Sequence, residues 1–435
     1  MKSNEWLHGF RHSSPYINAH RGRTVVLTIP GDAIEHGNFI NIIHDIALLS
    51  SLGVRLVVAY GARPQIQSRL DRAGVESSFA SGLRVTPENH LPMVMEATGG
   101  LRAYLESQLS MGLVNSPMHN ARIRVSSGNY VAAKPVGVLN GIDFGHTGKV
   151  RRVDVAGIDK LLELGHIVLL PPMGYSPTGD AFNLSYEDVG SQVAAALQAE
   201  KLMVFIDEQG LLDEDGTLVR ELSARQASER LAAGTIVGHD ASLLKAACDA
   251  CVKGVRRAHI ISYVKDGALL EEMFTRDGSG TLVSGDNYEQ IRQARAEDIG
   301  GILELIQPLE EQGILVRRSR EKLETEVDRF VVVERDGTVV GCAALYSYPD
   351  EDAGELSCFA VDPHYRRGGR GDEILAMVEK LARAQGVHKL FVLTTQAEHW
   401  FRERGFQSSS INALPGPKLA SYNTQRNSKV FFKPL

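Results

Sequence analysis

Glu355 opens the apolar run Glu355-Leu356-Ser357-Cys358-Phe359-Ala360-Val361, and Arg366-Arg367-Gly368-Gly369-Arg370-Gly371 follows shortly after. Glycines let a backbone come close to a ligand, successive N–H groups form an anion nest, and a following helix adds its positive end. Such a loop can hold phosphates. Its spacing is Arg/Gln-x-x-Gly-x-Gly/Ala, with Arg366, Gly369 and Gly371 in the fixed places. It is neither Gly-x-x-x-x-Gly-Lys-Ser/Thr nor Gly-x-Gly-x-x-Gly. The plain alternative is a glycine-rich turn with solvated arginines. An RGG-type nucleic-acid segment is another, but those are usually repetitive and this copy is single. A partly buried carboxylate makes a better base than an exposed one, so Glu355 is a candidate base, with an ordinary strand-end glutamate as the alternative.

The elements that must position these groups are legible. The run from Glu355 ends at Asp362-Pro363, as a buried strand does. Ile374, Leu375, Val378, Leu381 and Ala382 then recur at helical spacing. Upstream, Gln290–Ala294 reads as a strand and Glu297–Glu311 as a helix. Phe330–Glu334 and Thr338–Cys342 read as a hairpin around Arg335-Asp336-Gly337. Downstream come the strand Lys389–Thr394 and Trp400-Phe401-Arg402-Glu403-Arg404-Gly405-Phe406.

From about Tyr288 to Leu435 this order resembles the GNAT acetyltransferase superfamily. The resemblance implies acetyl-CoA as co-substrate and no metal. It places the pyrophosphate and pantetheine on Cys358, Phe359, Ala360, Val361, Arg366, Gly368, Gly369, Arg370 and Gly371. It makes Glu355 the base, gives the oxyanion to N–H groups around Cys358 and Phe359, and puts Thr394 where a hydroxyl protonates the leaving thiolate. Direct transfer needs no nucleophile, so Cys358 is not read as one.

The earlier part alternates strands and helices. Val25–Ile29, Arg55–Tyr60, Gly165–Leu170, Leu202–Asp207 and Ala258–Ser262 are strands, and Phe39–Leu52 and Tyr186–Glu200 are helices. That alternation predicts an α/β domain around a mostly parallel sheet. Gly82-Leu83-Arg84-Val85-Thr86, Gly145–Val150, Asn183–Asp188 and Glu272–Thr281 resemble the amino-acid kinase fold, specifically its acetylglutamate kinase branch, over about Thr24 to Ser284. Where such kinases place a lysine and glycines, this chain has Thr28, Pro30 and Gly31, then Gly61-Ala62-Arg63-Pro64. Losing that lysine argues against phosphoryl transfer, although Asp188 is kept.

The expected architecture is an amino-acid-kinase-like three-layer α/β domain followed by a smaller α/β GNAT domain. The expected bounds are an N-terminal helical arm over 1–19 broken at Pro15, a regulatory domain over 20–285, a linker over 286–290 and an acetyltransferase over 291–435. The two domains in this order resemble the bacterial N-acetylglutamate synthase family. That resemblance implies acetyl transfer to the α-amino group of L-glutamate. Forked arginines suit the substrate's two carboxylates. Arg317, Arg426 and Ser428 are the residues it favours, with Arg318 as the open alternative to Arg317. It further implies L-arginine as a feedback inhibitor near Tyr16, Lys201, Glu272 and Gly278, and a homo-oligomer, a hexamer in the family. Two other functions compete: an acetylglutamate kinase with a fused acetyltransferase-like domain, and an amino-acid sensor that acetylates protein lysines.

Composition bounds these readings. At 435 residues the chain holds two or three domains. A formal charge of −6 argues against general nucleic-acid or membrane-surface binding. The four cysteines make no disulfide framework in a chain this long, and no apolar run is long enough to span a membrane. With no apolar h-region at the N-terminus, the expected compartment is the cytoplasm. Cys248 and Cys251 form a lone Cys-x-x-Cys without further ligands nearby, read as buried helix residues rather than a metal site.

Overall fold

The computed structural model describes residues 3–112, 116–213, 215–275, 278–285, 289–335, 338–365 and 369–435. Its contacts divide the chain into two compact units, Met1–Asp286 and Asn287–Leu435.

The first unit is built on an eight-stranded sheet. In spatial order its strands are Glu221–Ser223, Thr281–Ser284, Arg257–Ser262, Lys201–Ile206, Thr24–Ile29, Arg55–Tyr60, His166–Leu170 and Arg124–Ser126. All neighbours pair in parallel except Arg257–Ser262 with Thr281–Ser284. Alternate residues of each strand enter different cores, as a period of two requires. Val26, Val57, Val168 and Val204 face the helices Val155–Glu163, Tyr186–Ala196 and Gly238–Val252. Val25, Leu27, Val58 and Phe205 face Phe39–Ser51 and Leu91–Leu109. Helix, sheet and helix make three layers, as expected.

Two local expectations change. The N-terminal helix runs unbroken through Pro15 from Ser3 to His20. The helix from Tyr186 stops at Ala196 rather than Glu200, and Gln198 turns the chain with φ 48°. Cys248 and Cys251 are buried free thiols in Gly238–Val252.

At the position of the expected kinase lysine, Thr28 is buried and its hydroxyl donates to the Met203 carbonyl at 3.1 Å. Gly190 packs on its methyl so closely that a Cβ there would lie 1.9 Å from Thr28 Cγ2.

The second unit is a seven-stranded sheet in the order Glu289–Gln293, Phe330–Arg335, Thr338–Tyr348, Ala353–Val361, Lys389–Thr394, Lys429–Pro434, Gln407–Ser409. The first strand begins inside the stretch expected as linker. Phe330 and Val332 pack with Ile299, Ile302 and Ile306 of the helix Ile299–Glu311, while Val331 and Val333 pack with Ile374 and Val378 of Arg370–Ala384. Asp336 and Gly337, the expected hairpin tip, lie outside the described residues.

Candidate active site

Glu355 lies on the strand Ala353–Val361, with Tyr346 and Phe391 as its neighbours on the two flanking strands. Its side chain is 7% exposed, and Lys418 Nζ sits 2.6 Å from Oε1. The Tyr348 hydroxyl approaches Oε2 at 3.5 Å.

Two features open the sheet just beyond Glu355. Ala344 pairs with Ser357 and Cys342 with Ala360, so Cys358 and Phe359 together face Ala343. This bulge is held by Cys358 in the left-handed region, φ 51°. A bulge breaks the ladder and re-aims the backbone. On the other edge, the parallel ladder with Lys389–Thr394 runs from Gly354–Leu390 to Leu356–Val392 and, among the described residues, ends there. Leu393 and Thr394 stay paired to Val430 and Lys429. The two strands therefore part beside the bulge, where an extended amide-bearing chain can enter. Thr394 stands at that parting. Its buried Oγ1 accepts from the N–H groups of Gln396 and Ala397, at 3.3 and 3.0 Å, so its own O–H remains able to donate.

Arg366 and Gly368 of the expected phosphate loop lie outside the described residues. Gly369 caps the following helix with φ 77°. Arg370 and Gly371, expected in the loop, form that helix's first turn. Gly371 is small for packing reasons: a Cβ would lie 2.9 Å from the Trp400 ring. Phe359 packs against the same ring in a tilted arrangement, centroids 5.0 Å apart.

Two guanidiniums converge on this face. Arg318 Nη2 donates to Ser357 Oγ at 2.9 Å, two residues from Glu355 on the same side of the strand. Arg426 donates to the Ile314 carbonyl. Burial, together with Arg318, lowers the pKa of Arg426. Among the described residues neither Nε atom has a hydrogen-bond partner. Arg317, the residue favoured from sequence, is exposed. Neighbours in an extended segment point to opposite sides, and Arg318 takes the inward one. Ser428 is buried, and its carbonyl accepts from Tyr422 at 2.8 Å.

A second polar cluster lies in the first unit. Glu272 is buried on the helix Ala268–Phe274. It accepts from His259 Nδ1 at 2.5 Å and from the N–H groups of Ser279 and Gly280 at 2.5 and 3.0 Å. Burial opposes its ionisation, but these donors hold it at about 2. Lys201, buried and beside Arg257, is drawn down to about 8. Burial and Lys201 draw His259 and His20 down to about 4. Both imidazoles are therefore neutral at pH 7. His259 gives its Nδ1–H to Glu272 and His20 its Nε2–H to the Met273 carbonyl at 2.9 Å, leaving His259 Nε2 and His20 Nδ1 as buried acceptors with no donor among the described residues. Gly278, φ 64°, passes so close that a Cβ would touch the Glu272 carboxylate at 2.7 Å. Tyr16 stands one helical turn before His20. Lys201, Glu272 and Gly278 are thus brought together. His20 and His259 were missed, though Tyr16 and His20 at i, i+4 on one helix carried a readable signal.

The loops that would hold ATP phosphates in a kinase are bonded to each other. Gln65 donates to the Gly31 carbonyl at 2.8 Å and to Glu35 at 2.9 Å, while Arg63 pairs with Glu187 at 3.2 Å.

Comparison with known proteins fixes the class first. Residues 23–262 match the amino acid kinase family and residues 299–406 the acetyltransferase (GNAT) family. The whole chain then aligns with amino-acid acetyltransferases. One from Pseudomonas fluorescens strain Pf0-1 is 55% identical over 99% of this chain and 100% of its own length, and one from Pseudomonas putida KT2440 is likewise 55% identical. N-acetylglutamate synthase of Neisseria gonorrhoeae, complexed with coenzyme A and L-arginine, is 38% identical, with 99% of both chains covered and a TM-score of 0.88. The same enzyme complexed with coenzyme A and N-acetyl-glutamate gives a TM-score of 0.64. The chain belongs to the amino-acid acetyltransferase family, the N-acetylglutamate synthases, and is an acetyltransferase.

Proposed function

We propose that the second unit moves acetyl from acetyl-CoA to the α-amino group of L-glutamate, the first step of arginine biosynthesis, and that the first unit binds L-arginine and inhibits that step. The observation that carries the catalytic reading is a buried carboxylate, Glu355, beside a parted, bulged sheet with Arg318 and Arg426 converging on the same face. The pantetheine arm enters where the strands part, and its amides continue the ladder along Cys358–Val361. The pyrophosphate sits at Arg366, Gly368, Gly369, Arg370 and Gly371. Arg318, Arg426 and Ser428 receive the substrate carboxylates.

At neutral pH the α-amine is an ammonium. Glu355 takes a proton from it, directly or through a water, which typically contributes ~10²–10⁴ in rate. The amine attacks the thioester carbon, and N–H groups at the Cys358 bulge meet the oxyanion. The C–S bond then breaks, the new amide nitrogen gives up its second proton, and Thr394 relays a proton to the thiolate while taking that one, so its hydroxyl is restored. Glu355→Gln should lower kcat by ~10²-fold or more with the acetyl-CoA KM kept. An unchanged kcat across the pH range defeats the assignment. Screening acetyl-CoA turnover against the common amino acids and a lysine peptide tests the acceptor.

The inhibitor reading is supported by the two donorless imidazole acceptors beside Glu272, a set that suits a ligand rich in N–H donors, as a guanidinium is. Homo-oligomerisation and a cytoplasmic location belong to the same reading. Exposed Leu7 on the N-terminal helix supports the first and the four free thiols the second. No described helix is long and apolar enough to cross a membrane.

A further inference from the structure

Lys418 reaches Glu355 from far along the chain, on the short helix Gly416–Ala420. Glu351, in the turn just ahead of the Glu355 strand, accepts from the Gly416 N–H at 2.7 Å. Leu414, buried with Phe391 and Val430, fixes the approach to that helix. Both partners of the ion pair are therefore tied to one turn and one packing cluster. The pair differs from a surface contact such as Lys429 with Glu398, whose side chains are 64% and 28% exposed. Such pairs contribute little. Here the carboxylate is 7% exposed and the lysine 24%, and a buried carboxylate is strongly disfavoured without a counter-charge.

The contact is also directional. Lys418 takes Oε1, whereas among the described residues Oε2 has only the long 3.5 Å approach of Tyr348. A base that must meet a substrate amine needs one oxygen held and the other available. We propose that Lys418 is a positioning residue for the acetyl transfer: it fixes Oε1, balances the buried charge and presents Oε2 to the amine. It has no part in the proton transfer itself. The proposal rests on the reading of Glu355 as the base.

The test is steady-state kinetics on the full-length chain with Lys418→Met, Lys418→Arg, Glu355→Gln and the double variant Glu355→Gln/Lys418→Met, with thermal melts to follow folding. Lys418→Met should lower kcat about 10- to 100-fold, as a misplaced catalytic group does, while the acetyl-CoA KM stays within about twofold. Lys418→Arg should recover most of kcat, because it restores the cation. In the double variant the loss should not exceed that of Glu355→Gln alone, since the two residues act as a unit. Full kcat in Lys418→Met, or additive losses in the double variant, overturns the proposal. Should Lys418→Met not fold, Lys418→Gln carries the same expected direction and the same cycle. Full kcat in Glu355→Gln instead overturns the base assignment underneath.

Discussion

At the scale of single residues, the choice between Arg317 and Arg318 shows what sequence leaves open. Both have the right chemistry, and only the phase of the extended segment separates them. Arg318 points to Ser357 and Arg317 is exposed. A hydrogen bond to a charged group contributes about 1.5–3 kcal/mol, so Arg318→Ala should raise the glutamate KM by roughly 10- to 150-fold. Arg317→Ala should stay near wild type. Measuring KM for glutamate at saturating acetyl-CoA checks both, and the reverse pattern would restore Arg317. Glu355 and Thr394 were readable because each sits on a strand recognisable from its apolar run. Lys418 was not, since nothing in Gly416–Ala420 announces a partner 63 residues away.

At the scale of elements, the strands and most helices follow from local patterns. The apolar runs are long, the helix faces are periodic, and the two cores simply collect alternate residues. The errors fall where local chemistry and packing disagree. Arg370-Gly371 reads as loop because glycine disfavours helix interiors. It is helix because Trp400 occupies the space above Gly371 and leaves no room for a Cβ. The bulge at Cys358 has no sequence signature, since a non-glycine residue with positive φ is uncommon. Gly371→Val should therefore lower stability, by about 1–3 kcal/mol of overpacking, read as a lower urea midpoint, besides weakening acetyl-CoA binding. Gly369→Val carries backbone strain at φ 77° and should weaken acetyl-CoA binding as well, read by calorimetry.

At the scale of the whole molecule, the polar cluster of the first unit contributes stability that acid removes, while Asp45, raised by burial to about 7, works in the opposite direction. His20 and His259 are held at about 4 against an ordinary 6.5, and Glu272 at about 2 against 4.5. The unfolded chain binds protons more readily across both intervals. The cluster's contribution is therefore full above pH 6.5 and falls as pH drops through 4 and on towards 2. The loss should be on the order of a few kcal/mol by pH 4, measured as unfolding free energy in urea. If the same cluster receives arginine, Glu272→Gln should abolish arginine inhibition and leave uninhibited turnover near wild type. A typical coupling of ~1–3 kcal/mol corresponds to about 5–150-fold in effector affinity, within reach of a dose–response. Inhibition of Glu272→Gln as strong as wild type would move the site elsewhere.

The contact between Thr28 and Gly190 locks both positions. Each residue has become the condition of the other: the threonine methyl fills the only space a Cβ at position 190 would use, and the threonine hydroxyl is committed to Met203. Thr28→Lys alone would forfeit that hydrogen bond and force a longer side chain into a sealed interior, while the facing loops stay closed on Gln65 and Arg63. Thr28→Lys alone therefore costs stability without opening a phosphate-binding site. Mutational libraries seeking ATP dependence in this chain should find it only when positions 28, 65 and 63 change together.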